Sequence, residues 1–441
     1  MSKKIRVLLA LALALAVCLA GVPASFAAST DPAVATDAAA ITKVLQVPYG
    51  TAIPSTMSFS FTVTKKSVDG DTTLASTAPT IGTAGVVTIP YGSGTTLEGT
   101  TAGVSTYYKE SANLFPSTIV WPHAGVYEYE IAETGTYTVN PTPPPTEVMT
   151  SSQAKYTVFV YVAANATTGV LEITHIGVLK TTTDGGTAIP GTSQEKEDPT
   201  PGGGTDGTDT WDYSQLIFTN SYVKTNGGTD PTDPDDWTLA VSKAVAGTYS
   251  DPNLYFGFTM TVTKPTLAAG TTYTAFVVEP TNVAGVYAVV TGSANYAGTI
   301  GVDGSITVTS GTPFVFNLKH NEQLVFIDTP VGTSYTVAEP TGTAGYAPKA
   351  VVTYNGTPGA QEVKAAGASL TLPHASNSVY TSPLYVGEAA NSAAFLNDRG
   401  TITPTGIDMN NLPYYVLLAA VALGGVFYIV VRSRRRAREE A

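Results

Sequence analysis

Lys43, Glu133 and Asn220 occur in that order along the first half of the chain, and Lys243, Glu339 and Asn397 repeat the order along the second. Each lysine sits in a short apolar stretch, "ITKVLQ" or "LAVSKAVAG". Each glutamate ends an aromatic-rich one, "YEYEIAE" or "SYTVAE", and each asparagine an apolar one, "LIFTNSY" or "AAFLNDR". If the first and last strands of a sandwich lie side by side, amine faces carboxamide across the core and the glutamate reaches both from a third strand. Burial disfavours ammonium and carboxylate alike, moving lysine down and glutamate up by as much as about three to five pKa units. A proton can then pass from lysine to glutamate, leaving an amine nucleophile and an acid able to hydrogen-bond the asparagine carbonyl. Attack, proton relay and loss of ammonia would join the side chains in an amide, driven by the effective molarity of groups held in place. Taken singly, each lysine and glutamate also reads as an ordinary strand residue. Glu128 and Glu130 are alternatives to Glu133, and Asn391 to Asn397.

The elements needed to position these residues are strands. "MSFSFTVT" (57–64), "GVYEYEIAE" (125–133), "KYTVFVYVA" (155–163) and "LEITHIGVL" (171–179) alternate apolar and polar residues. So do "LYFGFTMTV" (254–262), "GSITVTS" (304–310), "QLVFIDTP" (323–330) and "SYTVAEP" (334–340) in the second half. Short alternating runs between Gly and Pro turns predict an all-β protein of two tandem immunoglobulin-like antiparallel β-sandwich domains, residues 40–223 and 237–399. "KTNGGTDPTDPDD" (224–236) reads as the linker between them, and "EKEDPTPGGGTDGTDTWD" (195–212) as a long loop. A covalent tie between first and last strands would enclose nearly a whole domain. In the chain-entropy model, closing a loop of about 100 residues or more contributes on the order of 4 to 5 kcal/mol.

The two ends define a location. Residues 1–27 begin with Lys3, Lys4 and Arg6, continue through an apolar run and close on Ser25 and Ala27, the pattern of a secretory signal peptide. The only cysteine, Cys18, lies in that segment, so disulfides cannot hold the exported part together. Residues 413–431, "PYYVLLAAVALGGVFYIVV", have the length and edge tyrosines of a transmembrane helix. The basic tail at 432–441, with Arg432, Arg434, Arg435, Arg436 and Arg438, places that end in the cytoplasm. A permanent single-pass anchor is the simplest reading of this span. Net charge is −12 and only 13% of residues are charged, with no basic patch outside the tail, which excludes nucleic acid as a partner.

With these pieces assembled, the chain resembles Gram-positive surface pilins. "ITKVL", "SFSFTV", "GVYEYEIAET", "YTVFVYV" and "LIFTNSY" are similar to the pilin isopeptide-linkage domain. "SKAVAG", "LKHNEQLVFIDTPVGTSYTVAEP" and "AAFLN" are similar to related immunoglobulin-type pilin modules. The resemblance implies self-made crosslinks Lys43 to Asn220 and Lys243 to Asn397, with Glu133 and Glu339 as the catalytic acids. It also implies a sortase-type sorting signal at 401–412. Ile402 to Gly406 reads I-T-P-T-G where such signals typically read L-P-x-T-G, so proline stands one position late. A sortase transpeptidase would cleave between Thr405 and Gly406 and pass the Thr405 carbonyl to peptidoglycan or to a lysine of another pilin subunit. No Y-P-K-type motif occurs, and Lys180, Lys196 and Lys224 are the available acceptors near the end of the first domain.

The functions that follow are a structural cell-surface pilin or pilin-like stalk, wall-anchored after a transient membrane stage, or alternatively a monomeric wall-anchored adhesin for a host ligand. No turnover enzyme, cofactor or metal site is expected. "GGGTDG" (202–207) matches G-x-G-x-x-G but follows prolines and opens no helix. His123, His175, His320 and His374 lack ligand spacing, and Asp230, Asp233, Asp235 and Asp236 read as a solvated linker rather than a calcium loop.

Overall fold

The computed structural model describes residues 38–92, 95–135, 137, 146–202, 213–373 and 383–400. The signal peptide, His374, Thr405, Gly406, the 413–431 span and the basic tail lie outside them. Among the described residues no helix is long and apolar enough to cross a membrane.

The described chain is almost entirely strand, interrupted by three short 3-10 turns. In the first half, one sheet runs in the order Thr96–Thr101, Val104–Glu110, Thr42–Pro48, Ile217–Thr225, Thr146–Thr150. The sheet facing it runs Lys196–Glu197, Leu171–Thr182, Lys155–Ala164, Gly125–Gly135, Ser58–Val68, Val86–Pro90. Period-two alternation sends Phe59, Phe61, Val63, Tyr127, Tyr129, Ile131, Tyr156, Val158 and Val160 into the layer between them, and the polar residues outward. The second half repeats the plan. Leu239–Ala246 lies between Gln323–Phe326 and Ser392–Asp398 in one sheet, with Ala347–Tyr354 beyond. The other sheet is ordered Phe314–Leu318, Phe256–Thr263, Ser334–Glu339, Leu370–Leu372. Its separate core includes Val241, Phe258, Met260, Leu324, Val337 and Phe395.

The sandwiches are not purely antiparallel. Thr42–Pro48 pairs in parallel with Ile217–Thr225, and Leu239–Ala246 in parallel with Ser392–Asp398. Parallel neighbours need a crossover connection, and here the entire domain is the crossover. In the second half the last strand is brought home by a close approach. Arg399 N–H donates to the Ala246 carbonyl at 2.8 Å. Gly247, at φ +103°, leaves no room for a Cβ, which would sit 1.9 Å from the Arg399 carbonyl oxygen.

The 224–236 stretch is folded rather than a free spacer. The Ile217–Thr225 strand takes up its first two residues. Asp236 accepts the N–H groups of Thr229 (2.9 Å) and Asp230 (2.8 Å), and the Trp237 indole N–H donates to Pro231 O at 2.8 Å. The halves also meet directly. Glu388 accepts Ala52 N–H at 2.7 Å on one carboxylate oxygen and Lys224 Nζ at 2.8 Å on the other, while its carbonyl receives Asn226 Nδ2. Val331 N–H donates to Lys224 O at 2.8 Å, and Tyr49 packs on Tyr385 with ring centroids 4.8 Å apart.

Gly247→Ala is expected to destabilise the second domain by at least about 2 kcal/mol, through backbone collision and a left-handed φ. Urea unfolding followed separately for each domain checks this: the second transition moves to lower denaturant and the first does not.

Candidate functional site: two buried lysine, glutamate and asparagine trios

Lys43 lies on the face of its strand that also carries Ile41, Leu45 and Val47, all core residues, so the alternation that builds the sandwich forces the amine inward. It is fully buried, as is Asn220, which shares the inward face of the last strand with Phe218 and Tyr222. Glu133 reaches them from the opposite sheet, near the end of Gly125–Gly135, its side chain 1% exposed. One carboxylate oxygen lies 2.6 Å from Lys43 Nζ, and the other accepts Asn220 Nδ2 at 2.7 Å. Glu128 and Glu130 take no part. Glu128 accepts Ser67 Oγ at 2.5 Å, and Glu130 faces Lys66 at 3.8 Å on the surface.

The second trio has the same plan. Lys243 Nζ donates to Glu339 at 2.9 Å, and Asn397 Nδ2 to the other Glu339 oxygen at 2.6 Å, all three residues being buried. Asn391 is committed elsewhere: its Oδ1 accepts Asn355 N–H (3.0 Å) and Gly387 N–H (2.8 Å), and its Nδ2 donates to the Thr238 carbonyl at 3.1 Å. The strand register agrees as well. Lys43 is opposite Phe218 and Leu45 opposite Asn220, while Lys243 is opposite Phe395 and Val245 opposite Asn397. In both domains the asparagine therefore stands two residues beyond the lysine's partner, on the same face.

An aromatic wall encloses each amine. Phe59 lies 4.5 Å from Lys43 Nζ, and Phe256 lies 4.1 Å from Lys243 Nζ; each is the first phenylalanine of an F-x-F-T stretch. The sequence shows that repeated stretch without revealing its place beside the lysine. Burial pushes the Lys43 amine down to about 8, against the opposing pull of Glu133, and burial likewise pushes Lys243 down to about 8 against Glu339. Burial also raises the Glu133 carboxyl, opposed by Lys43. Both movements favour passage of a proton from amine to carboxylate.

The glutamate faces the amide nitrogen, not the carbonyl oxygen expected from sequence. In the first domain Asn220 Oδ1 already accepts Ser152 N–H at 2.7 Å, which turns Nδ2 toward Glu133. The carboxyl is thus placed to protonate a departing nitrogen. Ser152 was not visible as a site residue, because its backbone amide makes the contact and no side-chain motif marks it.

A further grouping of the same residue types escaped sequence reasoning. Glu322, fully buried, accepts Asn295 Nδ2 at 2.7 Å, and Lys319 Nζ lies 3.4 Å from its other oxygen. The Lys319 side chain is 31% exposed. Burial pulls its amine down, but Glu322 and Glu279 outweigh that and hold it above the ordinary lysine value. This amine stays charged and is no nucleophile. Lys180, Lys196 and Lys224 lie apart from both trios, Lys180 against Asp184 at 3.2 Å, Lys224 against Glu388 and Lys196 in a short edge strand. Among the described residues no group of three or more histidine, cysteine or acidic side chains could hold a metal.

Residues 237–371 match the model of a domain of unknown function, DUF7601. No curated protein matches. Among solved structures, the major pilin from Streptococcus pyogenes aligns at 17% identity over 83% of this chain and 100% of that one, with a TM-score of 0.29. The T-13 major pilin of the same organism aligns at 13% identity over 83% and 100%, with a TM-score of 0.27. A pilus-presented adhesin aligns at 15% identity over 56% of this chain and 36% of that one, with a TM-score of 0.20. At these scores the superpositions carry no inference about fold or site.

The shifted pKa values set a pH dependence for a variant that keeps the charged pair but lacks the asparagine. In Asn220→Ala, stability is expected to fall as pH rises from the ordinary glutamate value of 4.5 through the raised Glu133 value. It then rises from about 8 to 10.5, because the unfolded chain holds the lysine proton that the folded chain has lost. The double variant Lys43→Met, Asn220→Ala is the reference that cancels tyrosine ionisation. Urea unfolding across pH, taken as the difference between the two, would refute the burial argument if flat above pH 8.

Proposed function

We propose that the protein is a structural cell-surface pilin or pilin-like stalk whose two sandwiches are each locked by an autocatalytic amide, Lys43 to Asn220 and Lys243 to Asn397. The observation that carries this reading is the repetition of a fully buried trio at the same parallel register in two domains. Each glutamate holds the amine on one carboxylate oxygen and the carboxamide on the other, which suits it to take the lysine proton and deliver it to departing ammonia. Crosslinked in this way, a pull on the first and last strands loads a covalent bond in place of a hydrogen-bond ladder. Export, sorting between Thr405 and Gly406 by a sortase, and attachment to peptidoglycan or to other subunits rest on the two ends of the sequence.

Intact mass of the secreted ectodomain is expected to fall short of the sequence mass by two ammonia molecules. Glu133→Ala and Glu339→Ala should each restore one. Lys319→Ala should restore none, its amine being charged and partly exposed. An unshifted parent mass would remove the crosslinks and leave the pilin reading on the chain ends alone. Polymerisation is read separately, from cell-wall extracts: a ladder of covalent oligomers supports the stalk, and a single band favours a monomeric wall-anchored adhesin.

A further inference from the structure

The two trios agree in residue type, register and glutamate geometry but differ at one atom, the carbonyl oxygen that would carry negative charge during the reaction. Asn220 Oδ1 accepts Ser152 N–H at 2.7 Å. Asn397 Oδ1, equally buried, has no hydrogen-bond partner among the described residues. The Ser152 amide is also held in place. Ser152 Oγ donates to Asp184 at 2.5 Å and accepts Ala154 N–H at 3.2 Å, and Gln153 N–H donates to the Asp184 carbonyl at 2.9 Å. The same Asp184 oxygen that takes Ser152 Oγ takes Thr219 N–H at 2.9 Å, one residue before the reacting asparagine. Asp184 therefore ties the donor loop to the strand bearing the electrophile, and Lys180 at 3.2 Å anchors its far oxygen.

From this difference we infer that the Ser152 backbone N–H is an oxyanion donor for crosslinking in the first domain, and that the second domain reacts without an equivalent. The inference rests on the crosslinking reading above. In the reaction the lone pair of neutral Lys43 forms a bond to Asn220 Cγ, and the carbonyl π pair moves onto Oδ1, where Ser152 N–H meets it. Collapse re-forms the carbonyl and breaks the bond from Cγ to Nδ2. Nδ2 leaves as ammonia with a proton from Glu133, which recovers one from the attacking nitrogen. Among the described residues, only the first domain has a preorganised dipole aimed at the developing charge, at a carbonyl buried from solvent. The first crosslink therefore forms faster than the second, although burial pushes both amines down to about 8.

The full chain made in a cell-free synthesis pulse, quenched in acid at intervals and digested, yields the two crosslinked peptides separately, so the second domain serves as an internal clock. The Lys43 to Asn220 peptide is expected to appear first. Replacing Ser152 by its α-hydroxy acid analogue turns the amide into an ester and removes only the N–H. That should slow the first crosslink about 100-fold, in the range for losing one oxyanion donor, and leave the second unchanged. Ser152→Ala keeps the N–H while cutting the bond to Asp184, and should slow the first crosslink far less. Equal rates in the two domains, an unslowed ester variant, or equal slowing by ester and alanine would each overturn the oxyanion role while leaving the crosslinks standing. Absence of both peptides at all times would instead overturn the crosslinking reading, and this inference with it.

Discussion

An ammonium and a carboxylate sealed between two sheets, out of reach of water, are the constraint around which each domain is arranged. Removing such ions from water costs several kcal/mol each, and their mutual attraction repays this only when geometry and further hydrogen bonds are good. Both carboxylates are satisfied at close range, by an amine on one side and a carboxamide on the other. The pair is nevertheless a poor way to stabilise a core compared with apolar residues of the same size. Its retention in two domains makes sense if it is a reactant. Transfer of the lysine proton to the glutamate discharges both groups, and amide formation removes the amine altogether. A core that is unfavourable as an ion pair would become favourable as the proposed neutral crosslink.

The topology supplies what the proposed chemistry needs. Parallel pairing of first and last strands brings residues 177 positions apart in the first domain, from Lys43 to Asn220, into adjacent places in one sheet. Neither side chain could choose its partner locally. The glutamate must come from the facing sheet, because a carboxylate in the same sheet would lie beside the pair rather than over it. The F-x-F-T strand next to the glutamate strand completes the enclosure: Phe61 pairs with Glu133 in register while Phe59 covers the amine. The sandwich thus sets distance, dryness and orientation together, and mispairing of one strand by a single residue would turn the lysine out to solvent.

Much of this was legible in the sequence, and the limits were physical. Alternation in "SFSFTV" or "KYTVFVYV" marks strands because one face of each is buried. The repeated order of lysine, glutamate and asparagine marks the trios because polar residues are otherwise out of place on a core face. Strands without a clean alternation, such as Thr272–Pro280 with its Phe-Val-Val run or Ala347–Tyr354, were not singled out, since packing rather than pattern fixes them. Parallel pairing was missed as a departure from an antiparallel sandwich because direction is a property of the closed domain, not of any segment. The 224–236 stretch has a linker's composition, yet its aspartates cap turns and its own Lys224 and Asn226 bind Glu388, a residue far along the chain. The Ser152 donor left no signal, because every residue but proline has a backbone N–H.

The three groupings of lysine, glutamate and asparagine differ in what the proposed crosslinking would require. Contact alone is insufficient. Lys319, Glu322 and Asn295 reproduce the two-sided carboxylate, but the amine reaches solvent and a second carboxylate, so its charge is favoured. The surroundings of the two sealed trios do not match either: among the described residues Asn220 Oδ1 has a donor and Asn397 Oδ1 has none. The two sealed trios share an inward lysine on the first strand, an asparagine two register positions further along the last, a facing carboxylate and an aromatic cover. In the proposed crosslinking, register and burial would build the reactant, and the environment of the carbonyl would set how fast it reacts. The trio's placement follows from the sandwich, whereas the donor to the carbonyl comes from a loop.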